Sequence, residues 1–477
     1  MMSKNNRRLI WLRSDLRMMD NILFSRDYES SEETIVIYFH AIHEWKLHKK
    51  SNIQRALIFD RLKYLYLLFK EKNIPFFIFE INSFSEIPDF LIQFMNQFSI
   101  QKLLSNYEYE YDESERDHAV HFLLSRNNFE YIQMHNQTLL EPGTVLNGEK
   151  KMYKVFTPFK KKWIHQLDRS KFNIETNHYN TLTDKIIFES AQNAYNNFFR
   201  DVEYENKYFY KEKEILEIFN SFVLNHLADY EFTRDIPAIN GTSKMSPYLA
   251  VGIVSPQTLI KICIDSKIAL DNSWVNEIIW REFYIHLLQA FPDLGQNKPF
   301  LQYTKFIPWN ESEDDFNKWK KGMTGFPIVD AGMRQLIEEG WMHNRVRMIV
   351  ASFLTKNLLI HWKKGQDWFM QHLVDGTFAS NNGGWQWSAS TGTDSQPYFR
   401  VFNPITQSKN FDPNGEYIKK YVPELKNIPR KYIHEPWDYI QLNSENIYYE
   451  PMVSLSSSRK QAIETFKFAK EKYENGI

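Results

Sequence analysis

The densest group of residues that could carry chemistry lies between Asp375 and Asn403. The segment reads DGTFASNNGGWQWSASTGTDSQPYFRVFN and combines a carboxylate, paired amides, two adjacent glycines and two tryptophans. Glycine lets a backbone approach another group closely, and a surface loop would not need Trp385 and Trp387. The composition favours a pocket for an aromatic heterocycle with hydrogen-bonding edges over the alternative, a buried turn held by Asn and Ser side chains.

A second group lies in the stretch WVNEIIWREFY, residues 274–284. On a helix, the spacing i, i+3, i+4, i+7 places Glu277, Trp280, Arg281 and Tyr284 on one face. A carboxylate beside an indole can read the donor edge of a nucleobase while the ring stacks on it, so Trp280 and Trp387 are candidate walls of one pocket. The alternative is an amphipathic helix with an intrahelical pair of Glu277 and Arg281.

The third group is the run GTSKMSP at residues 241–247. Hydroxyls and backbone amides that lead into a helix can hold a phosphate without a glycine fingerprint. Ser and Thr also cap helices, so a phosphate site and a simple helix cap both stay open.

Several other kinds of site are excluded. No two glycines are spaced as GxG and no GxxxxGK[ST] loop exists, so the common dinucleotide and triphosphate fingerprints are missing. His43 and Glu44 begin a zinc-protease motif, but Leu47 stands where its second histidine belongs. A single cysteine, Cys263, rules out an intramolecular disulfide and every multi-cysteine metal pattern, and we expect no metal.

Composition sets broader limits. The 477 residues suffice for several domains, and 16% of them are aromatic. Lys and Arg number 58 against 59 Asp and Glu, so a site for a polyanion must be local. No leader or membrane-spanning run is seen, and we expect a soluble cytoplasmic protein.

The elements that position these residues fall into two patterns. Apolar runs at 9–12, 34–39, 76–81 and 102–104 alternate with helical stretches such as 53–72, which predicts a parallel, doubly wound sheet. After 210 the periods are helical, with candidates at 211–225, 256–265, 272–290, 330–339, 345–356 and 459–473. We therefore predict an α/β Rossmann-like domain over 1–135, a long connector over 136–210 and an all-α domain over 211–477.

With these groups in this order, the sequence resembles the photolyase/cryptochrome family, most closely the bacterial class I cyclobutane pyrimidine dimer photolyases. The resemblance covers nearly the whole chain. It rests on RRLIWLRSDLR at 7–17, GTSKMS at 241–246, WREFY at 280–284, HNRVRM at 343–348 and the stretch 381–403. It implies an N-terminal α/β domain and a helical domain that holds FAD in a folded shape.

The resemblance implies a flavin site in the second half of the chain. The residues that fall on the family's flavin contacts are Tyr230, Thr242, Ser243, Lys244, Met245, Ser246, Trp274, Arg281, Asn344, Arg347, Asp375, Gly376, Thr377 and Asn381. Asn381 falls where a side chain faces flavin N5, and an amide there can stabilise the reduced ring of FADH⁻.

The resemblance also assigns roles around the flavin. Trp385, Trp362 and Trp309 fall on a chain of tryptophans that carries electrons from the surface to the flavin. The positions that receive a flipped pyrimidine dimer are Glu277, Trp280, Met348 and Trp387, whereas the related (6-4) enzymes have a histidine in the part of the pocket that Met348 occupies. Arg234, Arg345 and Arg400 fall near DNA phosphate contacts, so binding should depend strongly on salt.

Two positions depart from the family's pattern. Thr377 replaces a second aspartate after Asp375 and Gly376, which keeps a hydrogen-bonding group and removes a charge near the cofactor. Asp112 and Glu113 stand where folate-type members carry Asn and Glu, so a methenyltetrahydrofolate antenna through Glu113 stays open.

The predicted function is light-driven repair of cyclobutane pyrimidine dimers by a DNA photolyase. The partner is damaged DNA, and we expect a bacterial monomer that is at the nucleoid when bound. The alternative is a cryptochrome, a light-signalling flavoprotein whose usual sign is a long tail after the flavin domain. Retention of Glu277, Trp280 and Met348 together favours repair, and a photolyase for single strands stays open.

Overall fold

Contacts divide the chain into two compact units in the computed structural model, which describes residues 6–24, 32–167, 179–443 and 447–476. The first unit comprises Met1–Tyr153, Thr157–Val223 and Lys244–Pro292. The second comprises Lys154–Phe156, Leu224–Ser243 and Asp293–Ile477. The boundaries at 135 and 210 stay predictions about the order of domains along the chain.

The first unit contains a parallel sheet, as predicted. Its strands are β1 Arg7–Trp11, β2 Glu33–Ala41, β3 Phe76–Ile81, β4 Lys102–Asn106 and β5 Glu130–Met134, in the order β3-β2-β1-β4-β5. Leu9 of β1 is in register with Ile35 of β2 and with Leu103 of β4, and all three side chains are fully buried. The sequence reading missed β5, because this edge strand is only partly buried and carries the polar Glu130 and Gln133.

The helices follow in chain order. Those before residue 226 are α1 Ile42–Leu47, α2 Asn52–Glu71, α3 Ile87–Gln97, α4 Tyr111–Arg126, α5 Phe156–Gln166, α6 Lys185–Phe199 and α7 Glu212–Asn225. Those after it are α8 Tyr230–Thr233, α9 Ser246–Ala250, α10 Pro256–Asp265, α11 Ser273–Ala290, α12 Glu313–Lys321, α13 Pro327–Glu339, α14 Asn344–Ser352, α15 Trp362–His372, α16 Phe378–Ala389, α17 Pro404–Phe411, α18 Glu416–Tyr421, α19 Trp437–Leu442 and α20 Leu455–Glu474.

The predicted connector is more ordered than its composition suggested. It holds α5 and α6, and Ile187 and Ala191 of α6 join the buried core around the sheet. Residues 168–178 of the connector lie outside the described residues. Apolar residues at 187, 191, 194 and 198 have the spacing of one helix face, but the asparagines around them made this pattern hard to recognise in the sequence.

The second unit is helical, as predicted, around one large core. Trp319, Trp362 and Trp385 lie in this core and are at most 2% exposed. The helix predicted over 345–356 ends earlier, because α14 stops at Ser352 and a π-helical turn covers Phe353–Asn357. That turn buries Lys356, a residue that a surface helix would expose.

Gly252 holds the segment after β1 in place. Its φ is 71°, and its carbonyl oxygen accepts a hydrogen bond from Arg17. A Cβ added at this glycine would lie 2.1 Å from the Ser14 carbonyl oxygen and 2.5 Å from the Asp15 Cα. The loop after β1 therefore requires a glycine at this position.

Gly252→Ala should lower the free energy of unfolding by about 3 kcal/mol, through left-handed backbone strain and overlap with Ser14. Chemical denaturation followed by circular dichroism measures this change. Gly148→Ala is the matched control, because a Cβ there meets no atom within 4 Å. Equal stabilities of the two variants would contradict the close contact.

Candidate active site and nucleic-acid face

Helix α11 carries the second predicted group of residues, within the first unit. The side chain of Asn272 caps the helix by accepting from the Trp274 N–H at 2.8 Å. Trp280 is half-buried, and its ring centroid lies 5.7 Å from those of Phe283 and Tyr284. Glu277 is also half-buried, so helix α11 presents a carboxylate and an indole that are three residues apart on one face.

Trp274 and Arg281 of the same helix contact other parts of the first unit. Trp274 is 3% exposed and its ring centroid lies 4.8 Å from that of Phe219. The Arg281 guanidinium donates to the Gln137 carbonyl oxygen at 2.8 Å, and burial lowers its pKa. Both side chains therefore have packing or hydrogen-bonding partners inside the first unit.

The carboxyl edge of the sheet is the place where open α/β sheets usually bind ligands, because the strand order reverses between β1 and β4. Here that crevice is filled by side chains. The Arg13 guanidinium donates to both carboxylate oxygens of Asp117, and Asn106 donates to Asp15. The remaining cavity measures about 10 Å³, which holds roughly one water molecule.

The two candidate antenna residues lie at the start of α4. His48 Nε2 lies 2.7 Å from Asp112 Oδ2, and His48 Nδ1 lies 3.5 Å from Glu113 Oε1. Glu113 Oε2 is buried and has no hydrogen-bond partner among the described residues. Burial, together with Glu108, raises the pKa of Glu113 to about 7. This carboxyl can therefore accept a hydrogen bond from a further group.

In the second unit, an ion pair joins two of the predicted flavin contacts. Arg347 Nη2 lies 2.9 Å from Asp375 Oδ2, and the carboxylate side chain is only 4% exposed. The Arg347 Nε also donates to the Met342 carbonyl oxygen at 2.8 Å. The guanidinium is thus fixed from two sides, which sets its orientation.

The paired amides of α16 are held by a single glutamine. Asn381 Nδ2 donates to the backbone oxygen of Gln366 at 3.0 Å, and Asn382 Nδ2 donates to its side-chain oxygen at 2.9 Å. The Asn381 side-chain oxygen is left as an acceptor. A Cβ added at Gly384 meets no atom within 4 Å, so packing inside the chain does not require that glycine.

Trp385 and Trp387 have different surroundings although they are two residues apart. Two positions along a helix differ by about 200°, so the two indoles lie on nearly opposite faces. Trp385 is 2% exposed and its ring centroid lies 5.0 Å from that of Phe369, whereas Trp387 is half-buried. The buried ring suits electron transfer, and the half-buried ring suits contact with a ligand.

Three of the residues predicted to meet DNA or its lesion line one open cavity. Arg345, Met348 and Arg400 border this space, whose volume is about 490 Å³. The Arg345 guanidinium donates through Nε and Nη2 to Asp235, and it lies 4.3 Å from the Phe411 ring centroid. Arg234 lies over the ring of Tyr230 at 5.3 Å. The cavity therefore has arginines at its border and a methionine in its wall.

The three tryptophans of the predicted chain all lie in the second unit. Trp362 is 1% exposed and Trp309 is half-buried. A Cβ added at Gly365 would lie 2.1 Å from Trp385, so the Trp385 ring touches the backbone of the helix that Trp362 begins. His361 contacts both other indoles, with ring centroids 5.1 Å from Trp309 and 5.5 Å from Trp362.

The remaining predicted flavin contacts are divided between the units. Those of the second unit are Tyr230, Thr242, Ser243, Asn344, Gly376 and Thr377, and those of the first are Lys244, Met245 and Ser246. Thr377 is the N-cap residue of α16, although its side chain makes no capping hydrogen bond. Lys244 is exposed with a φ of 53°.

Sequence reasoning missed Asp235, His361 and Gly365. Asp235 could have been suspected as an acid beside Arg234, and His361 as a ring beside Trp362. Nothing in the sequence indicates that Trp385 fills the space at Gly365. Within the described residues, no group of three or more His, Cys, Asp or Glu side chains could hold a metal ion, and no helix is long and apolar enough to cross a bilayer.

Comparisons with known proteins find relatives over nearly the whole chain. The family model for the FAD binding domain of DNA photolyase matches residues 274–468, and the model for DNA photolyase matches residues 8–176. A deoxyribodipyrimidine photo-lyase of Escherichia coli is 38% identical, covering 97% of this chain and 99% of its own.

Two solved structures share the fold. A class III photolyase from Agrobacterium tumefaciens superposes with a TM-score of 0.78 at 30% identity, covering 99% of both chains. A cryptochrome from Synechocystis superposes with a TM-score of 0.83 at 24% identity, covering 98% of this chain and all of its own, which shows the fold alone. With a near full-length relative at 38% identity, the chain belongs to the photolyase/cryptochrome family and, within it, to the DNA photolyase enzymes.

Proposed function

We propose that this photolyase repairs cyclobutane pyrimidine dimers in DNA by electron transfer from reduced, light-excited FAD. The observation that carries the proposal is the cavity bordered by Arg345, Met348 and Arg400, whose size suits an extruded pair of bases. It lies in the same unit as Asn381 and the pair of Arg347 and Asp375. The likeness to curated deoxyribodipyrimidine photo-lyases supports the same class of lesion.

The residues of the second unit fit a flavin. Asn381 has a side-chain oxygen left to accept a hydrogen bond, which suits a donor such as the N5–H of a reduced ring. Arg347 offers a cation whose direction Asp375 fixes. When bound in its reduced form, FAD supplies the electron that splits the dimer. The protein's own contribution is to orient both partners and to keep water from the reacting groups.

The DNA-binding step follows from the arginines. Arg345 donates hydrogen bonds to Asp235 from its Nε and Nη2 atoms, so Nη1 is the guanidinium nitrogen that does not donate to this carboxylate. Arg345 and Arg400 would hold phosphates beside the lesion, and binding should weaken steeply with salt. Flipping the dimer costs a few kcal/mol, and the cost is lower for a lesion that already pairs poorly.

Each unit offers side chains that suit a flipped dimer. In the first unit, the half-buried ring of Trp280 offers a flat apolar face for a pyrimidine, and Glu277 offers an acceptor for a donor edge. In the second unit, the half-buried ring of Trp387 offers a further flat apolar face. Met348 gives an apolar wall without a proton donor, which suits a cyclobutane dimer. No acid-base step at Met348 is required.

Glu113 is the residue we propose for a folate antenna. Its buried, unpartnered Oε2 can accept from the amino edge of a pterin, and His48 holds the neighbouring Asp112. Because burial raises the pKa of Glu113 to about 7, its carboxylate form should be lost below neutral pH, and antenna binding should weaken there.

The direct test uses purified protein with reduced flavin and oligonucleotides that carry one defined lesion. Illumination should restore thymines from a cyclobutane dimer and leave a (6-4) photoproduct unchanged, whereas the dark sample should recover nothing. High-performance liquid chromatography of the hydrolysed DNA measures recovery. A fully reduced, illuminated sample that restores no thymine would overturn the proposal and favour light signalling.

Glu277→Ala should reduce the quantum yield of repair about tenfold while the flavin spectrum stays intact, because a hydrogen bond to a charged group contributes about 1.5 to 3 kcal/mol. The yield is measured with pre-reduced protein at saturating DNA. Glu217→Ala is the matched control, since this exposed acid lies on the neighbouring helix α7. An unchanged yield in Glu277→Ala would refute the role of that carboxylate.

Asp375→Asn should lower flavin affinity by about tenfold or more, because Arg347 loses the charge that fixes its orientation. Titration of apoprotein with FAD, followed by flavin fluorescence, measures the affinity. Glu424→Gln is the control, because it breaks a comparable pair with Arg334 in the same unit. Both variants should lose stability, and only Asp375→Asn should lose flavin. Full flavin affinity in Asp375→Asn would contradict the assignment.

A further inference from the structure

His361 contacts two indoles of the proposed tryptophan chain. Its ring is nearly parallel to that of Trp362, with an interplanar angle of 30° and centroids 5.5 Å apart. It is tilted by 59° to Trp309, with centroids 5.1 Å apart. Trp309 also meets Phe466 edge-on, at 6.1 Å. The imidazole is therefore the polar ring in contact with both Trp309 and Trp362.

A backbone hydrogen bond fixes the protonation state of this imidazole. His361 is the N-cap of α15, and its Nδ1 accepts from the Lys363 N–H at 3.1 Å. An acceptor nitrogen carries no proton, so the capping ring is neutral with its proton on Nε2. Protonation would remove the capping acceptor and place a positive charge against both indoles.

The charges that face His361 come from several elements. Lys363 of α15 pairs with Asp367 of the same helix. Lys364 of α15 pairs with Glu313, the first residue of α12, and with Glu311, which lies just before α12. Burial lowers the pKa of His361, and Lys363 and Lys364 act in the same direction against Glu311. The imidazole should therefore be neutral at pH 7 and take a proton only below about pH 6.5.

A second basic group lies close to Trp309. Lys356 is fully buried in the π-helical turn, and its Nζ donates to the Ser390 hydroxyl at 2.8 Å. The same nitrogen lies 3.6 Å from the ring centroid of Phe466, the phenylalanine that contacts Trp309. Desolvation lowers the pKa of Lys356 well below its ordinary value. The surroundings of Trp309 thus disfavour the charged forms of both basic side chains.

We propose that His361 is a positioning residue that controls electron flow from Trp362 to Trp385, open when its imidazole is neutral and closed when it is protonated. The inference rests on the proposed function, since it takes Trp309, Trp362 and Trp385 as the path to the flavin. It adds a residue and a switch to that path. It concerns the photoreduction of oxidised flavin and not the repair step itself.

Each step of the proposed path transfers one electron from one group to the next. Trp385 gives one electron to the light-excited flavin, Trp362 gives one to Trp385, and Trp309 gives one to Trp362. The positive charge then lies on Trp309 until a thiol in solution returns one electron to it. A protonated His361 would raise the energy of the positive charge on Trp362 and on Trp309 by similar amounts, because the two centroid distances are nearly equal. The transfer that it slows is therefore the one from Trp362 to Trp385, which places the positive charge on an indole that His361 contacts.

The test follows flavin photoreduction with a thiol donor as the pH falls. The thiolate fraction of the donor falls with pH for every variant. In the natural protein the rate should drop about tenfold more than the donor accounts for once the pH is below the ordinary histidine pKa of about 6.5, because the charge on His361 rises there. His361→Phe keeps a ring and cannot titrate, so its rate should lack this additional pH dependence. His361→Asn keeps a capping acceptor and should likewise lose the pH dependence.

His372→Phe is the matched control. His372 lies on the same helix and its pKa is also lowered by burial, but its ring centroid lies 4.0 Å from that of Trp368, which is not part of the proposed path. This variant should keep the natural pH dependence. If His361→Phe keeps it as well, the switch is overturned.

Two further measurements separate this inference from the proposed function. Trp309→Phe should slow photoreduction of the oxidised flavin and spare repair by protein that is supplied with reduced flavin. Unchanged photoreduction would overturn the tryptophan path and, with it, the role of His361. Thymine recovery tests the repair function independently of that path. In flavin-free protein, nuclear magnetic resonance should give His361 a pKa below about 6.5. A value above 7 would contradict a neutral imidazole and overturn the switch.

Discussion

The contact between Gly365 and Trp385 sets the geometry on which the helical unit depends. Because Gly365 has no side chain, the indole lies against the backbone of α15, and any larger residue would push it away. The same two helices are joined by hydrogen bonds from Asn381 and Asn382 to Gln366. One close approach therefore fixes the buried indole, the Asn381 amide and the helix that begins at Trp362.

Ion pairs orient two of the arginines for which we propose a ligand. Asp375 orients Arg347 and Asp235 orients Arg345, so both guanidinium groups are fixed before any ligand arrives. Preorganised groups lose less entropy when they bind. The pairing also shows how a chain with a net charge of -1 can carry arginines at one cavity, since these two cations are compensated nearby.

Much of the fold could be predicted because local patterns encode it. Alternating apolar runs identified four strands of the sheet, and apolar periods identified α7, α10 and α11 within a residue of their ends. The edge strand β5 was missed because it has no clean apolar pattern, and helix α6 was missed because Asn-rich residues surround its amphipathic period. The family resemblance supplied the predicted flavin and DNA residues. Asp235, His361 and Gly365 were missed because their contacts join segments that are far apart in the sequence or depend on the orientation of a ring. No single-sequence pattern records such contacts.

In the proposed repair step the flavin lends an electron to a cyclobutane dimer and recovers it. Transient absorption of the reduced protein with a dimer-containing oligonucleotide measures this cycle. We expect a loss of the reduced-flavin signal that requires the dimer, recovers fully and coincides with the appearance of separate thymines. A signal that is the same with undamaged DNA, or a flavin left oxidised after each flash, would contradict it.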